Sequence, residues 1–364
     1  MLFDLAIIGG GPAGCAAAIV SARSGARVLL LDRAKFPRHK VCGEFVSAES
    51  LSLLQSLLAG EFKSLVTRAP RSSRARIFLD GKILQAQINP PAAGITRFQL
   101  DSALWNSCRE SRVKCQSENS VNAVEGLGPF RIITRGQVFE ARAIINATGR
   151  WSNFTSSAVR SQVNGEKWLG LKAHFNQPLA SRSVDLYFFS GGYCGVQRVS
   201  LAGGNETTIN ACAMVRADLA TNLADVLTQN GSLFERSRSW QPCTEPVTTS
   251  PLVFHEPEPL QGNMLQVGDA ATFVDPFIGD GISLALRSGA LAAECLAAFF
   301  RNRCSLDQAS AQYRYEYFTR LGSIFKASSK IRSLLSWPKV VRKPVLSVLA
   351  RTPFITNQIV RITR

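Results

Sequence analysis

The chain reads as α/β: a Rossmann-like parallel-sheet domain, an antiparallel sheet inserted into it, and a helical C-terminus. Three observations predict this. An apolar run of strand length ends in a glycine-rich turn at residues 9–14 and is followed by an Ala-rich helical stretch. A second strand, 263–267, ends in another glycine-rich stretch running to 282. Between them, residues 73–97 and 165–258 hold short alternating runs with turn signals, as expected of antiparallel strands. At roughly 100–200 residues per domain, 364 residues suggest two or three folding units.

The N-terminal elements carry the clearest chemistry. Phe3 to Ile8 is the strand, and Gly9-Gly10-Gly11-Pro12-Ala13-Gly14 fits G-x-G-x-x-G. Gly9 permits the tight turn, Gly11 lets a pyrophosphate approach the backbone, and Gly14 lets helix and strand pack closely. The helix N-terminus supplies free N–H groups and partial positive charge. Arg27 to Leu31 is a second buried strand, closed by Asp32 with Arg33 beside it. Asp32 follows Gly9 by 23 residues and can accept hydrogen bonds from a ribose. The motif alone leaves NAD and FAD both open.

The uncharged stretch Leu5 to Ala22 is broken by the glycines and proline at 9–12, which argues against a membrane span or a signal segment. Leu284 to Phe300 is interrupted by Arg287 and Glu294. Nine scattered Cys, with no C-x-x-C pair, indicate neither a zinc ribbon nor a disulfide framework, and reduced thiols in a cytoplasmic protein are expected.

The C-terminal half resembles the second flavin motif of the para-hydroxybenzoate hydroxylase superfamily. It reads Gly268-Asp269-Ala270-Ala271, then Asp275-Pro276-Phe277, then Gly279-Asp280-Gly281-Ile282 at the start of an Ala/Leu-rich helix. The resemblance implies FAD, with Asp269 on its ribityl chain and the helix start at 279–281 facing the flavin pyrimidine edge. Two further segments agree. Thr96 to Leu104 resembles the R-x-x-L-D-x-x-L helix start, where Arg97 would meet the cofactor. Ala143 to Asn146, followed by Ala147-Thr148-Gly149-Arg150, looks like the strand and turn that return the chain to the nucleotide domain, although the hydroxylases commonly carry Asp-Gly there.

Pro37-Arg38-His39-Lys40-Val41-Cys42-Gly43 is similar to the P-x-x-K-x-C-G segment of geranylgeranyl reductases, which lies by the flavin with the cysteine near substrate. The resemblance makes Cys42 and Lys40 the catalytic candidates and Cys42 and Gly43 cofactor contacts. That family often has Gly where this chain has Glu44. Thr272 stands where many hydroxylases have His, and the halogenase signature W-x-W-x-I-P is missing from the sequence. His39, between Arg38 and Lys40, reads as a proton donor or as a surface residue, and the lone His174 and His255 as structural or exposed.

The expected division is 1–72, 95–164 and 259–310 for a discontinuous FAD-binding domain. Residues 73–94 and 165–258 form a substrate domain, and 311–364 a basic helical C-terminal region. Gly191 to Gly195 is expected to be a turn between strands, and Phe188, Phe189 and Tyr193 to line an apolar substrate cavity. The formal charge is +16, and 311–364 alone hold eleven Lys or Arg against one acid, Glu316. Leu321, Ile324, Phe325, Ile331, Leu334 and Leu335 recur on one helical face, with Lys326, Lys330 and Arg332 interleaved and Trp337 beyond. This region is read as a helical cap or as a peripheral surface for anionic membrane. Nucleic acid is not expected, since no binding module is present.

The function expected is an FAD-dependent oxidoreductase in which NAD(P)H-reduced flavin reduces C=C bonds of an apolar isoprenoid- or polyketide-like substrate. The alternatives are an FAD-dependent aromatic hydroxylase and a flavin-fold binding protein without turnover.

Overall fold

The computed structural model describes residues 2–150, 167–178, 180–201, 207–252 and 254–336. The chain starts with β1 (Leu2–Ile8), α1 (Pro12–Arg23) and β2 (Val28–Leu31). The apolar run of β1 is buried on both faces, as a central parallel strand must be. Pro12 sits in the first turn of α1, where its missing N–H costs nothing. The chain then crosses to the second sheet through β3 (Phe45–Val46), α2 (Ala48–Leu57), α3 (Ser64–Arg68), β4 (Arg71–Leu79) and β5 (Lys82–Gly94). It returns at α4 (Arg97–Glu110), whose N-cap Thr96 accepts the backbone N–H of Gln99. β6 (Lys114–Gln116), β7 (Val121–Glu125), β8 (Phe130–Thr134) and β9 (Val138–Asn146) complete this half.

The second sheet continues with β10 (Trp168–Asn176), β11 (Ser183–Phe189), β12 (Gly192–Arg198) and β13 (Thr208–Arg216). α5 (Leu223–Thr228), α6 (Gly231–Ser237), β14 (Gln241–Pro242) and β15 (Val247–Thr249) follow. The chain then rejoins the first sheet through β16 (Leu260–Gln261) and β17 (Met264–Gln266), and ends its described part with α7 (Gly281–Phe300) and α8 (Leu306–Ser336).

The first sheet runs β16-β17-β9-β1-β2-β6, with β17, β9, β1, β2 and β6 parallel and β7 and β8 appended to β9 as an antiparallel ribbon. The second runs β14-β10-β13-β12-β11-β4-β5-β3 with β15 on β10. It is antiparallel except that β4 and β11 pair in parallel. The chain is thus the α/β architecture expected.

Two local expectations are corrected. Gly192, Tyr193, Cys194 and Gly195 are strand residues of β12, paired with both β11 and β13, and the turn is confined to Ser190 and Gly191. Strand alternation then separates Phe188 from Phe189. Phe188 packs with Tyr193, Met214, Phe273 and Phe277, while Phe189 packs on the opposite face among Leu171, Tyr187 and Val226. Phe189 therefore does not line the cavity.

α7 is the one described helix long and apolar enough to cross a bilayer, and 67% of that window is buried inside the protein. It lies against α1 so closely that a Cβ on Gly289 would stand 2.1 Å from the Ala13 carbonyl oxygen. α8 continues this core. Tyr313, Tyr317, Leu321 and Ile324 are buried with the first sheet, and the Tyr313 hydroxyl donates to the Gln266 carbonyl at 2.7 Å. Phe325 packs partly against the same core. Trp337 and the rest of the basic tail lie outside the described residues.

Candidate functional site

Both glycine-rich corners open onto one cavity of about 500 Å³ between the two sheets. The N-terminal corner shows a division of labour among its glycines. Gly9 has φ +109°, and a Cβ there would sit 2.2 Å from the Ala147 carbonyl oxygen. A Cβ on Gly14 would sit 1.9 Å from the Gly9 carbonyl oxygen. Gly14 therefore packs helix on strand and does not reach the cavity. A Cβ on Gly11 would meet only the Arg97 guanidinium, at 3.9 Å, so this position is open toward the cavity. Gly11 is also the N-cap of α1 and carries no side-chain cap, which leaves the first N–H groups of that helix for a ligand. Pro12, Ala13 and Arg33 line the same wall.

Asp32 lies on this wall too, but its carboxylate is already engaged. One oxygen accepts from Arg38 at 2.7 Å and the Ala34 N–H at 2.8 Å. The other accepts from the Gly10 N–H at 2.7 Å and Arg38 at 3.0 Å. Arg38, stacked over Phe36, faces the cavity as well.

From the far end of the chain, Gly268, Asp269, Pro276, Gly279, Gly281 and Ile282 line the cavity. Asp280 does not: it is buried as the N-cap residue of α7, and its carbonyl accepts the Leu284 N–H. Asp269 is partly exposed to the cavity, with Arg150 at 3.9 Å. Gly149 lies beside it in the wall. The N-terminus of α7, without a side-chain cap, points at this space, so its partial positive charge acts there.

Arg97 spans the middle. Its guanidinium makes two hydrogen bonds to Asp101, at 2.7 and 2.8 Å, one helical turn away. Burial opposes that charge, but the Asp101 carboxylate holds the guanidinium protonated. Lys40 also faces the cavity. It has no carboxylate within ion-pair distance among the described residues. Desolvation, then the neighbouring Arg38 and Arg97, lower its pKa to about 8. Burial pushes the Cys42 thiol up, so the sulfur is held as a neutral S–H; it accepts the Glu44 N–H at 3.3 Å.

Beneath residues 40–44 lies a set of polar side chains that the sequence reading missed. Glu44 has φ +60°, is fully buried, and carries three donors on its carboxylate. These are Lys172 Nζ, His174 Nε2 at 2.7 Å and the Arg97 N–H at 2.8 Å. Desolvation would raise its pKa, but the bond from His174 and the charge of Lys172 outweigh it and hold the carboxyl below its ordinary value. Lys172 Nζ also donates to the Lys40 carbonyl at 3.1 Å, Asn210 to that of Cys42 at 3.0 Å, and Gln197 to that of Gly43 at 2.7 Å. The remaining amide oxygens of Gln197 and Asn210 are buried without partners among the described residues, at a cost of about 1–3 kcal/mol each. His174 was read as structural or exposed; it is fully buried, with Thr244 at its other ring nitrogen. Polar residues at 172 and 174, two apart in an otherwise apolar strand, were the available signal. His39 is an exposed ring packed on Phe98.

The cavity continues into an apolar end. Ile77, Leu84 and Ile88 face it from β4 and β5, Leu186 and Phe188 from β11, and Met214 from β13. Tyr193 and Phe277 close on Phe188, with ring centroids 5.5–6.0 Å apart.

The residues fit a dinucleotide flavin: an open glycine turn under a free helix N-terminus, a second helix N-terminus, and an apolar chamber beyond. Comparison with known proteins agrees. Residues 4–152 match the FAD dependent oxidoreductase family. A menaquinone reductase of Mycobacterium tuberculosis is 25% identical, over 92% of this chain and 85% of its own. Digeranylgeranylglycerophospholipid reductase 2 of Methanopyrus kandleri is 24% identical, over 92% and 87%. Among solved structures, a geranylgeranyl bacteriochlorophyll reductase-like protein from Thermoplasma acidophilum superposes with TM-score 0.78 at 19% identity, over 100% of this chain and 95% of that one. The flavin-dependent brominase Bmp2 does so with TM-score 0.78 at 17% identity, over 100% and 93%. These two likenesses establish the fold.

Proposed function

Taking this chain as an FAD-dependent oxidoreductase, we propose that it reduces carbon–carbon double bonds of an apolar, isoprenoid- or polyketide-like substrate, with NAD(P)H as the source of electrons. One observation carries the reading: the cavity that begins at Gly11 ends in a chamber walled by Ile77, Leu84, Ile88, Leu186, Phe188 and Met214. Such a chamber takes a greasy chain and gives a charged substrate no partner. The reductase names of the two curated relatives support the same reading.

FAD bound here would, once reduced by two electrons, supply hydride chemistry. The chain's own contribution is positional and protic. Gly11 and the α1 N-terminus would hold the pyrophosphate and Asp269 the ribityl chain, with Arg97 between them. The aromatic trio Phe188, Tyr193 and Phe277 excludes water from the chamber. The second carbon of the double bond needs a proton, and the wall offers two protic groups, the neutral Cys42 thiol and the Lys40 ammonium. Reduction is then balanced: a hydride on one carbon, a proton on the other.

The test is single turnover. The yellow holoprotein is reduced with NADPH or NADH under anaerobic conditions and mixed with polyprenyl alcohols. The expected result is flavin reoxidation without oxygen and a product richer by two hydrogens per double bond. Reoxidation that requires oxygen, with an oxygenated product, would overturn the reductase reading in favour of a hydroxylase.

A further inference from the structure

Segment 40–44 is gripped along its length by one face of the second sheet. Lys172 and His174 alternate along β10; Asn210 stands opposite His174 on β13, and Gln197 opposite Asn210 on β12. The register therefore sets four polar side chains from three adjacent strands in one patch. Three of them hold the carbonyls of Lys40, Cys42 and Gly43. Lys172 and His174 meet on the Glu44 carboxylate, which also accepts the Arg97 N–H at the start of α4.

We propose that Lys172, His174, Asn210 and Gln197 are positioning residues that act through Glu44 and the 40–43 backbone to fix the Cys42 thiol against the cavity. Lys172 and Glu44 work as a charge-neutral pair at the centre of this grip. The chemistry favours such a role. Each donor is spent on the segment rather than on the sheet's own core. Glu44, held in a left-handed conformation, puts its side chain under the segment where all three donors converge. A fully buried carboxylate is tolerated only when its charge is answered on the spot, and Lys172 answers it from the other domain. The segment's position is thereby tied to the second sheet. The inference rests on this cavity being the flavin site but not on which substrate is reduced.

The experiment compares Glu44→Gln, Lys172→Gln, the double variant and Asn210→Ala in the full chain. FAD affinity is read by fluorescence quenching, and the environment of bound flavin by visible circular dichroism. Cys42 exposure is read as its iodoacetamide alkylation rate, mapped by peptide mass with and without FAD. Each charge variant should speed Cys42 alkylation about tenfold and alter the visible dichroism, because a lone buried charge must move to find water. The double variant should return closer to wild type than either single. Asn210→Ala, which strands no charge, should speed alkylation with FAD affinity held within about threefold. Single variants that fail to fold beside a double variant that folds would also support the charge-neutral unit. Unchanged alkylation in folded Asn210→Ala, or a double variant no better than the worse single, would overturn it. Wild-type chain that takes up no FAD would sink the functional reading instead, while alkylation of the flavin-free chain still reports on the grip.

Discussion

Arg38 closes on Asp32 with two hydrogen bonds, at 2.7 and 3.0 Å, so the acid at the end of β2 meets the cavity already paired. Both groups are largely buried, and the same carboxylate ties down the Gly10 and Ala34 N–H groups. Asp32→Ala should therefore lose fold stability as well as FAD affinity, by about 3 kcal/mol, because it strands a buried guanidinium and frees the glycine turn. Arg38→Met should cost less, since the two backbone donors remain. Thermal melting with and without FAD checks this; an Asp32→Ala chain as stable as wild type would contradict it.

The glycines of the turn should separate by phenotype. Gly14→Ala forces a Cβ onto the Gly9 carbonyl and should destabilise the fold by about 2 kcal/mol or more. Gly11→Val projects into open cavity, so the fold should survive while flavin is excluded. Absorbance near the flavin maximum, set beside the melting temperature, distinguishes the two. Yellow, FAD-loaded Gly11→Val protein is the result that counts against this site.

Lys40 gives a pH signature. Its folded pKa is depressed to about 8, below the unfolded value, so its proton opposes folding at pH 7. Between about pH 8 and 10 the unfolded chain binds more protons than the folded one, and this group's contribution to stability rises with pH. If its cation serves the anionic cofactor, FAD affinity should weaken as pH rises through about 8. Lys40→Gln should abolish both effects. Titrations of Kd and melting temperature from pH 6.5 to 10 read them, and identical profiles in the variant would remove Lys40 from the site.

Phe188 tests the chamber. Phe188→Ala removes one wall of the aromatic trio and should raise KM for a long apolar substrate by about tenfold through lost contact area, leaving FAD affinity unchanged. Phe189→Ala should leave both KM and FAD affinity unchanged, because Phe189 lies on the other face of the sheet. Steady-state kinetics on both variants makes the comparison, and equal effects would place the substrate elsewhere.

Legibility followed the range of the interactions. Gly9, Gly11 and Gly14 were readable because their roles are written in backbone geometry a few residues long, and so was the apolar character of β1. Asp32 was found, but its engagement with Arg38 was not, since a spacing of six residues through a loop has no period to read. The turn expected at Gly191 to Gly195 failed for a related reason. Glycine punctuates chains, but between two pairing strands it is also tolerated where neighbours crowd, and a Cβ on Gly192 would stand 2.5 Å from the Met214 carbonyl oxygen.

By itself, the sequence determined the two nucleotide corners and the alternation of parallel and antiparallel segments, because local sterics and hydrophobic period fix those without knowledge of the rest. Only the tertiary structure decided that both corners share a cavity, and that Lys172, His174, Gln197 and Asn210 gather with Glu44 behind residues 40–44 of its wall. These residues lie up to 166 positions apart in the chain; strand register gathers the four on the second sheet, and the path of segment 40–44 across that sheet brings Glu44 to them. Buried charges come to light only when the partners that neutralise them are in place.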